Sequence, residues 1–159
     1  MISTHLDEEP AEHRRFARYL RALEAVTEAD EADLVAAVLR DQDATMADSA
    51  VGGHLDRRAV GFLTGPRFTT WARTMTEVIA DREFLSLRLR EWTLLRTIAL
   101  GGAWTAEELT GTTDWFQRMV ATTQIVTSPK ALELLAERGR TRRVRNAASH
   151  QLRSRDWPN

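Results

Sequence analysis

Nowhere in this chain do apolar and polar residues alternate for long enough to make a half-buried strand; apolar residues recur three and four positions apart instead. That period, cut at short intervals by turn residues, restricts the chain to helices packed on helices. Glu9-Pro10 opens a first helix in which Phe16, Tyr19, Leu20 and Leu23 share a stripe. A polar break over residues 27–30 precedes Leu34, Val35, Val38 and Leu39, and Asp41-Gln42-Asp43 turns the chain into a helix carrying Met46, Ala47, Ala50, Val51 and Leu55. Gly65-Pro66 starts a helix with Phe68, Trp71, Met75, Val78 and Ile79, and after Asp81 a longer one runs from Phe84 to Leu100 and is closed by Gly101-Gly102. Thr105 and Glu108 have capping-box spacing, and Asp114 is placed to cap the helix of Trp115, Phe116, Met119 and Val120. Ser128-Pro129, preceded by Thr127, opens a helix with Ala131, Leu132, Leu134, Leu135 and Ala136, and Gly139 breaks it before a last helix holding Val144, Ala147, Ala148 and Leu152.

The predicted fold is therefore all-α: one α-helical domain over residues 1–159, built of stacked antiparallel helix pairs as a repeat array or a compact helical bundle. Trp92 and Trp115 are expected in the core, with Met46, Met75 and Met119 filling gaps. Trp71 and Trp104 have mixed surroundings, and Trp157 lies in a polar tail. Gly52-Gly53, inside a helix at a cost near 1 kcal/mol per glycine relative to alanine, is expected to bend that helix or end it early.

A chain of 159 residues buries enough surface to fold without a staple, and it has no cysteine, which excludes disulfide scaffolds, thiol chemistry and cysteine zinc sites. His5, His13 and His54 have no partner at metal-ligand spacing, Asp41 and Asp43 lack the rest of a calcium loop, and neither glycine pair continues into a phosphate-binding Gly-Lys-Ser/Thr. No Gly-x-Ser-x-Gly elbow is present. No metal and no cofactor are expected. Glu8-Glu9 and Glu107-Glu108 are acids at helix starts, where the helix dipole favours them. The chain has no long apolar run and begins with an acidic segment unlike a signal peptide, so it reads as a cytoplasmic protein with no membrane association.

The net charge of −1 hides a polarity: residues 1–60 carry 13 acids against 7 arginines, residues 61–159 carry 10 acids against 15 bases. The basic end is concentrated in Arg138, Arg140, Arg142, Arg143, Arg145, Arg153 and Arg155, with no acid between the first and the last. Guanidinium forks suit bidentate contact with phosphates, so this run is the candidate binding surface for a protein or nucleic-acid partner. Of the 22 basic residues only Lys130 is a lysine.

Two resemblances extend this reading. Residues 34–58 and 131–155 share one plan, a short apolar helix, a polar turn, a second helix with small residues, then leucine and bases; Leu55 corresponds to Leu152, and Ala50-Val51 to Ala147-Ala148. With its Val144-Arg145 followed by small residues, the second segment resembles HEAT and leucine-rich-variant repeats. That resemblance implies a non-enzymatic scaffold or adaptor that grips a macromolecule. The same helix holds Arg145-Asn146-Ala147-Ala148-Ser149-His150, which resembles the Arg-Asn-x-x-x-His signature of HEPN ribonucleases of toxin and phage-defence systems. It implies a homodimer cleaving RNA without metal, with His150 as general acid/base at the 2′-hydroxyl, Arg145 stabilising phosphate charge and Asn146 orienting them. A helical offset of five sets Arg145 and His150 about 140° apart around the axis.

Overall fold

The computed structural model describes residues 10–125 and 128–155; His5, Glu8, Glu9, Thr127 and Trp157 lie outside the described residues. Among these the fold is all-α, with nine helices and no strand: α1 (Ala11–Ala25), α2 (Glu28–Leu39), α3 (Ala44–Phe62), α4 (Phe68–Val78), α5 (Glu83–Ala99), α6 (Ala106–Thr110), α7 (Asp114–Thr122), α8 (Pro129–Arg138) and α9 (Arg142–Ser154). The arrangement is compatible with a helical repeat or a bundle. The described residues form two compact units, one from residues 10–62 and 66–89, the other from 63–65, 90–125 and 128–155, so α5 contributes its first turns to one and the rest to the other.

In the first unit α3 packs against both α1 and α2, and α2 against α4. α3 presents Ala47, Ala50, Val51, Leu55 and Ala59 to the core, and these small residues let its neighbours approach closely. Gly52-Gly53 does not end the helix, which continues to Phe62. Gly52 is buried beneath Leu85 and Phe84, whose side chains pack over the missing Cβ, and this tertiary packing overrides the weak local propensity. The α2–α3 corner is knotted around Asp41, which accepts the Tyr19 hydroxyl at 2.6 Å, the Asp43 N–H at 2.9 Å and the Arg15 Nε at 2.9 Å. Arg82 ties the start of α5 to Asp48 and to the carbonyl of Leu39.

The Tyr19 hydrogen bond, the Asp43 N–H and Arg15 together hold the Asp41 carboxyl down to about 2, from an ordinary 3.8. A lowered folded pKa stabilises the fold above the unfolded value, and that contribution is lost as pH falls from 3.8 towards 2. Thermal midpoints measured across this acid range are expected to fall more steeply for the natural chain than for Asp41→Asn. Parallel curves would show that the corner carries no such linkage.

Also in the first unit, Glu31 and His54 are both almost completely buried. Glu31 Oε2 accepts from His54 Nε2 at 2.9 Å and from Arg58 Nε at 2.7 Å, while Arg58 Nη2 reaches the carbonyl of Val26. Burial alone would raise the Glu31 pKa, but the hydrogen bonds from His54 and Arg58 outweigh it and hold the group below the ordinary carboxylate range.

The second unit is built on Trp92, Leu95 and Ile98 of α5, Leu109 of α6, Phe116 and Val120 of α7, Leu132 and Leu135 of α8, and Val144 and Ala148 of α9, all buried. Gly101, at φ +73°, ends α5: Gly102 N–H bonds the Thr97 carbonyl and Gly101 N–H that of Ile98, closing the last turn with a residue that needs no Cβ. Thr105 caps α6 by accepting from Glu108 N–H. Thr113, rather than the expected Asp114, caps α7: its hydroxyl accepts from Phe116 N–H, and the buried carboxylate of Glu91 takes both the N–H and the hydroxyl of Thr113. Trp92 is buried as expected, whereas Trp115, edge-on to it at 5.9 Å, is only half-buried, as are Met46 and Met119. Trp71, in the first unit, is buried, and Trp104 is half-buried beneath the ammonium of Lys130 at 5.7 Å.

Candidate polyanion-binding surface

The α8–α9 hairpin is set by its caps. The Ser128 hydroxyl accepts from Ala131 N–H, Pro129 occupies the first turn of α8, and the Thr141 hydroxyl accepts from Val144 N–H to start α9. Between the helices, Gly139 is demanded by space: a Cβ there would lie 2.5 Å from the Leu135 carbonyl oxygen and 2.8 Å from Val144 Cγ1. The next N–H, of Arg140, is taken at 2.9 Å by the Oε1 of Gln117, a fully buried amide whose nitrogen donates to the carbonyls of Leu109 and Thr110. This clasp seats the turn against the α6–α7 corner.

The 3.6-residue period then sorts the last helix. Val144, Ala148 and Gln151 face α7 and α8, and Arg142, Arg143, Asn146, His150 and Arg153 fall on the opposite, exposed side. α9 contains no acid.

The arginine run divides by what each side chain does. Arg140 is exposed but engaged, with Nη1 on the Thr112 carbonyl at 3.0 Å and Nε 3.2 Å from Asp114. Arg145 is half-buried and turns back to the Gly139 carbonyl at 2.7 Å; Arg155 donates to the Thr123 carbonyl at 2.7 Å. Arg138, Arg142, Arg143 and Arg153 are exposed and have no hydrogen bond or ion pair among the described residues. The structure thus brings Asn146 and His150 together with Arg142, Arg143 and Arg153 on one face, and it does not bring Arg145 to His150 within the chain.

Two of the free cations sit where the helix itself opposes them. Arg142 and Arg143 occupy the first turn of α9, the positive end of its dipole, an unfavourable placement of about 0.3–1 kcal/mol per charge that an anion docked there would reverse.

A second cationic stripe was hidden by the summed charge of the first 60 residues. Arg14, Arg18 and Arg21 recur at i, i+4 and i+7 on α1, all exposed and without partners among the described residues, over a shallow floor made by Ala11 and Ala17. Their spacing alone would have revealed it. α1 also carries Glu12 and Glu24, so it is the less uniformly basic of the two helices.

No helix of the described residues is long and apolar enough to cross a membrane. Nor do the described residues form a group of three or more His, Asp or Glu side chains that could hold a metal ion. The chain matches no protein-family model, no curated protein and no solved structure.

Proposed function

We propose that the protein is a non-enzymatic interaction module of HEAT-like helix pairs that grips the phosphate backbone of a nucleic acid with the exposed face of α9. The observation that carries this reading is the acid-free face itself, on which Arg142, Arg143 and Arg153 are exposed without partners beside Asn146 and His150. The packed pairs α2–α3 and α8–α9, occupying the two segments that share a sequence plan, support the repeat character. Arg138 extends the surface from the end of α8.

Four free arginines set the expected salt dependence. Binding to a duplex DNA should weaken with a log–log slope of about 3 to 4, and Arg142→Gln/Arg143→Gln should lower that slope by about 2. A flat response to salt, or a double variant indistinguishable from the natural chain, would remove nucleic acid as the partner. RNA incubated with the protein in EDTA is expected to survive intact. Cleavage that disappears in His150→Ala would instead make the chain a ribonuclease of the HEPN kind, with Arg145 supplied to His150 by a second subunit.

A further inference from the structure

The first unit contains a cleft of about 320 Å³ between α2, α4 and the end of α3, large enough for a small organic molecule. Ala32, Phe62, Trp71 and Met75 are its apolar walls, and Glu28, Glu31 and Arg67 its charged ones. Those charges are answered inside the protein. Glu28 pairs with Arg67 at 3.0 Å, and Glu31 accepts from Arg58 at 2.7 Å and from His54 at 2.9 Å. An ion of either sign entering the cleft competes with a pair already made.

The group left over is a neutral donor. Trp71 is only 7% exposed, and its indole Nε1–H has no acceptor among the described residues. Water does not supply one, since less than 1 Å² of that nitrogen is open to it. The rings of Phe62 and Phe68 meet the indole edge to face at 5.9 and 5.6 Å, and an aromatic ring is at best a weak acceptor. A buried tryptophan N–H ordinarily finds a partner, so this one requires a reason. Arg67 lies one helical turn before Trp71, and the two side chains share the α4 wall of the cleft.

We propose that this cleft binds a small neutral molecule with an apolar body and a carbonyl oxygen, the body against Phe62, Met75 and Ala32 and the oxygen accepting the Trp71 Nε1–H. A carbonyl brings lone pairs and no charge, which matches one unfilled donor among compensated ions, and its second lone pair is left for a guanidinium hydrogen of Arg67. The oxygen reaches the N–H where the wall is weakest, at the Glu28–Arg67 pair, whose side chains are both mostly exposed and part at little cost.

The test titrates three probes of similar size into the full, nitrogen-15-labelled chain at neutral pH: benzylacetone, a neutral ketone; hydrocinnamate, a carboxylate; and phenethylammonium, which has donors only. The expected result is saturable binding of the ketone, about fivefold or more tighter than either ion, with one indole N–H resonance moving downfield as it saturates. Trp71→Phe, which keeps an aromatic ring and removes the donor, should delete that resonance and weaken the ketone about fivefold. Ala32→Leu, which adds bulk to the opposite wall, should weaken it about tenfold. Absence of saturation, an ion bound as tightly as the ketone, a moving resonance that survives in Trp71→Phe, or ketone binding unchanged by Ala32→Leu would each overturn the proposal. Should Trp71→Phe fail to fold by circular dichroism, the three probes and Ala32→Leu decide alone. DNA binding by α9 has no bearing on any of these outcomes.

Discussion

Glu31→Ala is expected to destabilise the chain by about 3 kcal/mol, the low end of what removing one partner of a buried ion pair costs. The carboxylate collects two donors from α3, and the residue behind them fixes how they are arranged. Arg57 Nη2 lies 3.2 Å from His54 Nδ1, and a guanidinium can only donate, so in the neutral ring Nδ1 is the acceptor and the proton sits on Nε2, pointing at Glu31. Without the carboxylate that N–H is stranded in a site that is 1% exposed. Arg58, whose side chain is 23% exposed and still held by the Val26 carbonyl, can recover part of its hydration, which is why the low end applies. Urea unfolding should show a lower midpoint with an unchanged slope. A midpoint within error of the natural chain would mean that the network contributes no net stability.

Trp92→Ala should cost more, about 3–5 kcal/mol, because it removes the largest fully buried side chain and leaves a cavity that a helical core refills only in part. The residue lies at the middle of α5 and is met edge-on by Trp115, at an interplanar angle of 70°. Such an aromatic pair adds roughly 0.5–1.5 kcal/mol beyond the area it buries. Trp115→Ala, on a half-buried ring, should therefore cost clearly less than Trp92→Ala in the same unfolding experiment. Equal losses would show that Trp115 carries as much of the second unit as Trp92.

Local chemistry made much of this architecture readable. Ser128-Pro129 and Gly139 delimit α8, Thr105 starts α6 and Gly101 ends α5, each by a backbone requirement that acts within a few residues. Where expectation and structure part, the deciding partner is distant in sequence. Thr113 and Asp114 are both competent caps, and the choice falls to Thr113, which is also gripped by Glu91 22 residues earlier. Gly52-Gly53 continues a helix because side chains from α5 close over it. The basic end was legible as composition but not as a surface: no spacing rule says that Arg140 reaches Thr112, that Arg145 turns back to Gly139, or that Arg155 finds Thr123. Glu31 and His54, 23 residues apart on different helices, carried no mutual signal at all.

The turn between α8 and α9 has a consequence for recognition. Leu135 and Val144 close the space over Gly139, its carbonyl is occupied by Arg145, and the following N–H is held by a buried glutamine. A ligand arriving at α9 thus meets a backbone that is already immobilised, and the entropy lost on association is confined to the arginine side chains themselves, about 0.5–1.5 kcal/mol for each one ordered. Under the proposed function, recognition by this face would be preorganised: its affinity would follow how many guanidinium groups find an anion, not any folding of the helix that carries them.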